Sequence, residues 1–146
     1  MGVERDSHFL TINRALELER LLPNANIVDF SRTMWEMRQV KSPLELAYHE
    51  VAAEICDRAA AAGFDAARAG VNEREVFAAM TAEAWRSGAD NTLLAVMASG
   101  PRSATLHAAL GHRTLAHGDN LHVEPVPHFR GYTSRMMREI DRCANR

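Results

Sequence analysis

The stretch Ser42-Pro43-Leu44-Glu45 marks the clearest helix start in this chain of 146 residues. Ser42 can cap the free backbone amides of the first turn, and Pro43 falls at the first helical position, where its missing N–H group costs nothing. Glu45 follows at the position from which its side chain reaches back to the cap. Apolar residues then recur every three or four positions, which predicts a helix of about 27 residues that ends at residue 68 or 69.

Glycines and a second capping pair organise the segment that follows. Gly63 lies inside the long helix, where glycine costs about 1 kcal/mol relative to alanine, so a break there is an open alternative. Gly70 lies just past the predicted end, where a left-handed cap is common. Asn72 and Glu75 form another capping pair, and they begin a helix that Gly88 ends. The middle of the chain is therefore predicted to be two helices.

Shorter elements precede these two helices. Thr11 caps a predicted helix over residues 12–22, which Pro23 ends. Residues 27–28 are a short apolar stretch that is compatible with a strand. Ser31 then begins a short amphipathic segment, so the first forty residues are mostly helical as well.

The pattern changes from helix to strand after Asn91. Residues 92–97 are a continuous apolar run, which indicates a buried strand, and residues 121–124 alternate apolar and polar as a strand does. Pro125 and Pro127 predict that this later stretch lies at an edge or contains a bulge. Helices followed by strands indicate an α+β fold, with helices on one face of an antiparallel sheet.

Composition excludes several classes of protein. Seventeen Lys and Arg residues balance 19 Asp and Glu residues, so the chain lacks the basic surface of a nucleic-acid binder. No apolar run approaches the roughly 18 residues that a membrane helix needs. Two cysteines, Cys56 and Cys143, form neither a disulfide framework nor a zinc pattern. We therefore expect a cytoplasmic protein that binds neither nucleic acid nor membrane.

Histidines and a few charged residues are the candidates for chemistry. Five histidines lie in the last third of the chain, and two interpretations of them are open. They either bind a metal ion or are surface and loop residues, and their spacing favours the second interpretation. These are His107, His112, His117, His122 and His128. Glu124 is a ligand or general base if it faces a cleft with His107, and otherwise faces solvent. Tyr132 and Arg135 are candidates to bind an anionic substrate. Alternatively, Arg135 is part of the polar face of a strand.

Four short motifs follow one another in a specific order along the chain. They are Arg38-Gln39-Val40-Lys41-Ser42-Pro43-Leu44-Glu45-Leu46, Gly70-Val71-Asn72-Glu73, the run of Ser99-Gly100, His107, Arg113 and Gly118-Asp119, and Gly131-Tyr132-Thr133-Ser134. Together they resemble the pita-bread hydrolase domain of Xaa-Pro aminopeptidases, prolidases and creatinases. The resemblance runs from about residue 2 to about residue 138.

This resemblance implies a domain organisation and a partner. Residues 1–30 resemble the end of an N-terminal creatinase-like domain, and residues 31–146 resemble the first half of the pita-bread domain, with two main helices packed on antiparallel strands. The family domain has two related halves around a central cleft, so we expect the chain to be truncated. A half sheet has an open edge, which predicts a homo-oligomer or another partner that covers it.

Departures from the family pattern decide the expected chemistry. Metal-dependent members carry an Asp on the strand after the G-D motif and a second Asp after G-Y-x-S, whereas this chain has Glu124 and Arg135 there. A guanidinium group stays charged and only donates hydrogen bonds, so we expect no two-metal site and no other cofactor. A Glu at the first position resembles the ectoine-hydrolase variety. Creatinase-like members imply that His107 is the proton-handling catalytic residue.

The sequence therefore predicts a truncated C–N hydrolase of the Xaa-Pro aminopeptidase, prolidase and creatinase type that is inactive alone. His107 is its predicted catalytic residue, and Glu124, Tyr132 and Arg135 are its predicted substrate-binding residues, for a small molecule or a dipeptide. Two alternatives stay open. One is a metal-free creatinase-like or ectoine-hydrolase-like enzyme that is active on assembly, and the other is a non-catalytic binding or assembly module.

Overall fold

The computed structural model describes residues 1–140, with the backbone alone for residues 93–95. Cys143, which the sequence predicts to be unpaired, lies outside the described residues. The chain divides into two compact units, Met1–Ser42 and Pro43–Arg146. The division falls at the start of the long helix rather than after residue 30, and the assignment of the first segment to a creatinase-like domain stays a prediction.

The first unit combines a two-stranded parallel sheet with two short helices. Strand β1 (Gly2–Val3) pairs with β2 (Val28–Asp29), and helix α1 covers Ile12–Leu21, close to its predicted bounds. Helix α2 covers Thr33–Gln39. Ser31 lies just before α2, where the short amphipathic segment was predicted to begin, and its hydroxyl accepts hydrogen bonds from backbone amides in the segment after β1. The left-handed Arg32 directly precedes α2.

Two long helices begin the second unit. Helix α3 (Pro43–Ala66) is unbroken, so the predicted alternative of a break at Gly63 is wrong. A Cβ atom at Gly63 would overlap the side chain of Met80, so the glycine allows α3 to approach helix α4 (Glu73–Arg86) closely. Because α3 ends earlier than predicted, Gly70 is not its cap. Gly70 belongs to the connection, and its amide donates to the carbonyl of Leu115.

Four strands form one antiparallel sheet. They are β3 (Asn91–Ser99), β4 (Leu121–Phe129), β5 (Tyr132–Thr133) and β6 (Arg138–Ile140). Strand β4 pairs with β3 along one side and with β5 and β6 along the other. The first three of these strands also follow one another in the order β3-β4-β5 across the sheet. Strand β4 is therefore central.

The two prolines of β4 show why the predicted edge strand is wrong. On one side of β4, β6 pairs with residues 121–123 and β5 with residues 128–129. Pro125 and Pro127 fall in the gap between these ladders, where a missing N–H group loses no strand partner. The predicted bulge lies on the facing strand, where the register of β3 shifts between residues 93 and 96. A central strand thus accommodates both prolines.

A tight hairpin leads from β4 into the segment that carries two candidate site residues. Arg130 (φ 52°) and Gly131 (φ 81°) are both left-handed, as the two central residues of a type I′ turn require. This turn matches the twist of the flanking strands. It fixes where the chain places Tyr132 and, beyond β5, Arg135.

The core lies between the helices and the sheet. Helix α3 packs on α4 and β4, and α4 packs on β3. The buried residues form two clusters, which are Ala67, Val76, Met80, Met97, Leu115, Leu121 and Val123 in one and Ile55, Ala59, Ala84 and Ala89 in the other. The predicted α+β fold, with helices on an antiparallel sheet, is confirmed. None of the helices within residues 1–140 has the length and apolar character needed to cross a membrane.

Candidate active site

Glu124 is a buried carboxylate in the middle of the central strand. It lies opposite Val96 of β3, and its side chain is 1% exposed. Its Oε1 atom accepts hydrogen bonds from Nε and Nη2 of Arg135, and its buried Oε2 atom has no hydrogen-bond partner within residues 1–140. The expectation that Glu124 faces solvent is therefore wrong. A buried carboxylate needs a charge partner, and here Arg135 supplies it.

Arg135 joins Glu124 to His107. Its side chain is 50% exposed, and Nη2 lies 3.3 Å from Nε2 of His107. Because a guanidinium group only donates, Nε2 of His107 is the acceptor and Nδ1 carries the ring proton. The structure thus brings three of the four predicted site residues together: Glu124, Arg135 and His107.

Tyr132 contacts helix α3. Its hydroxyl donates to Oε1 of Glu45 at 3.0 Å, and its ring lies 5.5 Å from the ring of Tyr48 and 5.2 Å from that of His49. These contacts attach β5 to the start of α3. A role for Tyr132 in substrate binding stays a prediction.

Glu73 is a charged residue of the fold that the sequence analysis did not single out. It is the first residue of α4 and is fully buried. Its carboxylate accepts from Ser99 Oγ (2.8 Å), Arg102 Nη1 (2.8 Å) and the backbone amide of Arg113 (3.4 Å). Burial alone would raise the pKa of Glu73, but these three hydrogen bonds outweigh it and lower the pKa below its ordinary value of 4.5. Its sequence signals were its place in the Gly70-Val71-Asn72-Glu73 motif and in a first helical turn, and neither indicates burial.

Asp119 ends the loop that carries His107. The residue lies in a turn, as predicted, and its carboxylate also accepts from Nη2 of Arg113 at 2.8 Å and from the amide of Ala116 at 2.8 Å. The Arg113 hydrogen bonds, followed by that of Ala116, lower the pKa of Asp119 below its ordinary value of 3.8. A Cβ atom at Gly100 (φ 57°) would come within 3 Å of both side chains of this ion pair.

Acid is expected to weaken the fold through this ion pair. The folded pKa of Asp119 is lowered, so its stabilisation is complete at pH 7 and is lost as the pH falls below 3.8 through the folded pKa. Asp119→Asn should therefore lower the thermal midpoint clearly at pH 7 and by less at pH 3. Calorimetric unfolding of both chains at pH 7, 4 and 3 measures this difference. A difference that is the same at pH 7 and pH 3 would contradict the ion pair.

The remaining histidines do not gather into one site. His112 and His117 are exposed in the loop, as expected, whereas His122 and His128 lie half-buried on β4. Within residues 1–140, no group of three or more His, Cys, Asp or Glu side chains is arranged to hold a metal ion. His112 instead accepts a hydrogen bond from Nε of Arg74 at 3.1 Å.

Comparison with known proteins decides the family. A family model described as metallopeptidase family M24 matches residues 47–143, about two thirds of the chain. The chain belongs to this family. Among curated M24-type relatives, an uncharacterized hydrolase/peptidase of Sinorhizobium fredii is 32% identical over 141 residues, which are 94% of this chain and 36% of that protein. A Xaa-Pro dipeptidase of Pyrococcus horikoshii is 31% identical over 127 residues, with 84% and 36% coverage.

Solved structures agree with the M24 assignment. The prolidase from Pyrococcus horikoshii aligns with a TM-score of 0.88 and 26% identity, over 99% of this chain and 41% of that structure. A Xaa-Pro dipeptidase from Bacillus anthracis aligns with a TM-score of 0.87 and 26% identity, over 95% and 39%. The chain has the fold of the first half of a pita-bread domain, and it spans about a third of the length of the curated relatives it matches.

The family description implies metal ions, and the residues of this M24 chain do not fit them at Glu124. One carboxylate oxygen of Glu124 accepts from a permanently charged guanidinium group, which repels a divalent cation and offers no lone pair. His107 Nε2, a candidate nitrogen ligand, lies 3.3 Å from Nη2 of the same guanidinium group.

Proposed function

We propose that this chain forms the first half of the catalytic domain of a C–N hydrolase that works without a two-metal centre, and that this half is inactive alone. The observation that supports the proposal is the contact of Arg135 with both the buried Glu124 and His107. By the resemblance, metal-dependent members have aspartates at the positions of Glu124 and Arg135. A fixed guanidinium charge takes the place of metal charge in this proposal.

His107 is the proposed proton-handling residue. Imidazole gives and accepts protons near neutral pH, which suits transfer to a nitrogen that leaves during C–N hydrolysis. Since Nε2 accepts from Arg135, the ring proton lies on Nδ1. In the proposed reaction the doubly protonated ring, an imidazolium, gives a proton to the scissile nitrogen and becomes neutral. Water adds to the carbon, and the proton that this water releases restores the imidazolium. The activating groups for that water come from the second half of the cleft.

Arg135 and Glu124 are the proposed substrate-binding pair, with Tyr132 beside them in sequence. The guanidinium group of Arg135 is half exposed, and its Nη1 donors are not used by Glu124 or His107. Such donors bind a carboxylate well, and dipeptides carry one. We propose a small-molecule or dipeptide substrate, a cytoplasmic location, and a second copy or partner that completes the cleft.

Turnover and binding by the pure chain test this proposal. With a Xaa-Pro dipeptide, creatine or ectoine, we expect no turnover above the blank. In calorimetric titrations with the same compounds, we expect any binding to be weakened by His107→Ala and unchanged by His112→Ala, the matched histidine of the same loop. Clear turnover would overturn the proposed inactivity of the isolated chain. Binding that survives His107→Ala would place His107 outside the cleft and favour a binding module.

A further inference from the structure

We infer that Glu73 and Arg102 are positioning residues for His107, acting through the loop between β3 and β4. The inference rests on the proposed function only in that His107 is taken to be the catalytic residue; the position of its ring does not depend on that function. The loop spans residues 100–120 and begins with a short 3-10 helix, Gly100–Ala104. It contains little regular structure of its own, so side-chain contacts must determine where His107 lies.

Glu73 is suited to anchor this loop because it belongs to a different and rigid element. It lies at the N-terminus of α4, where the helix dipole favours a negative charge, and it is fully buried. Its carboxylate accepts from Ser99, at the end of β3, and from Arg102 and Arg113, within the loop. One buried carboxylate thus connects the helix, the strand and both arms of the loop.

Arg102 connects Glu73 to the part of the loop that contains His107. Its Nη1 donates to Glu73 Oε1 at 2.8 Å, and its Nη2 donates to the backbone carbonyl of Ala109. Ala109 is two residues from His107 along the chain. A planar guanidinium group can satisfy both acceptors at once in a fixed geometry, which a lysine ammonium group cannot reproduce.

The backbone of His107 needs such support. Its φ is 54°, a left-handed conformation that is rare for a residue with a Cβ atom and persists where neighbouring contacts impose it. This conformation directs the ring so that Nε2 lies 3.3 Å from Arg135 Nη2. If the Arg102 contacts were lost, the loop would relax and the imidazole would leave Arg135.

Gly111 gives independent support, because the absence of a side chain at this position leaves room for the ion pair between Glu73 and Arg102. A Cβ atom built at Gly111 would overlap both Arg102 Nη1 and Glu73 Oε1. Gly111 is not in the left-handed region, so its backbone would accept alanine. Gly111→Ala therefore displaces Arg102 without removing a charge.

Nitrogen NMR of the histidine rings tests the inference on the full chain. In the wild-type chain, His107 should show the form protonated at Nδ1, because Nε2 accepts from Arg135. We expect both Arg102→Met and Gly111→Ala to shift the His107 ring nitrogens toward the values of the exposed His8. Arg74→Met is the matched control, since Arg74 contacts His112 in the same loop but not Glu73. It should shift His112 and leave His107 unchanged.

Two results would overturn the inference. One is an unchanged His107 spectrum in folded Arg102→Met and Gly111→Ala chains, and the other is an equal shift of His107 in Arg74→Met. If Arg102→Met fails to fold, Arg102→Lys replaces it, because lysine keeps the charge but cannot contact Glu73 and Ala109 together. The readout needs no turnover, so turnover by the isolated chain would count only against the proposed function and would leave the positioning result intact.

Discussion

Arg135→Met is expected to destabilise the chain by about 2–3 kcal/mol, because it leaves the carboxylate of Glu124 buried and without a charge partner. The expected loss lies below the full range for a buried pair, since Arg135 is half exposed and partly screened by solvent. Urea unfolding at pH 7, monitored by circular dichroism, measures the change in the free energy of unfolding.

Two further chains make this result specific. Arg86→Met removes an arginine from an exposed ion pair with Glu83, 4.0 Å long, and should change stability by less than about 0.5 kcal/mol. The double substitution Glu124→Gln with Arg135→Met removes both charges, and it should recover a large part of the loss because no charge then stays buried alone. If Arg135→Met matches Arg86→Met in stability, the Glu124–Arg135 ion pair does not exist in solution.

Local signals in the sequence predicted most of the helices correctly. Pro43 at a first helical position and Asn72 as a cap act through their own backbone neighbourhood, so their effects do not depend on the rest of the fold. The alternative of a break at Gly63, which the sequence left open, is wrong for the opposite reason. That glycine is explained by Met80 of another helix, a contact that local propensity cannot reveal.

Proline illustrates the same limit in the sheet. Pro125 and Pro127 indicate an edge when strand neighbours are unknown, yet β4 is central because its partners on one side leave those residues uncovered. Such an interrupted ladder depends on where two later segments, β5 and β6, return to the sheet. A single sequence window does not contain that information.

The candidate site was partly predictable. The sequence singled out His107, Glu124 and Arg135 through the resemblance and the departures from it, and the structure brings these residues into contact. It did not reveal that Arg135 bonds to Glu124, since eleven residues and a hairpin separate them. The burial of Glu73, although this residue belongs to a quoted motif, was missed because a buried acidic residue and an exposed one look the same in a first helical turn.

Several family motif residues build the loop rather than face the candidate site. Ser99 donates to Glu73, and Arg113 pairs with Asp119. Both contacts fix the segment between β3 and β4. The motif order is therefore specific for the fold, whereas the proposed chemistry depends on the motif residue His107 and on Glu124 and Arg135, which differ from the family pattern.

The second large effect concerns metal binding. Arg135→Asp is expected to create an affinity for a divalent cation, because it removes the guanidinium group from Glu124 and adds a second carboxylate there. It also frees Nε2 of His107 from its contact with Arg135. Carboxylate and imidazole groups together suit Mn²⁺ and related ions. In the wild-type chain the cation of Arg135 lies against both groups.

Calorimetric titration with Mn²⁺ tests the central claim most directly, with the wild-type, Arg135→Asp and Glu124→Gln chains compared at one pH. We predict no saturable heat for the wild-type chain and saturable binding for Arg135→Asp. Stoichiometric binding of Mn²⁺ by the wild-type chain that Glu124→Gln abolishes would contradict the claim that Arg135 occupies the place of a metal ion.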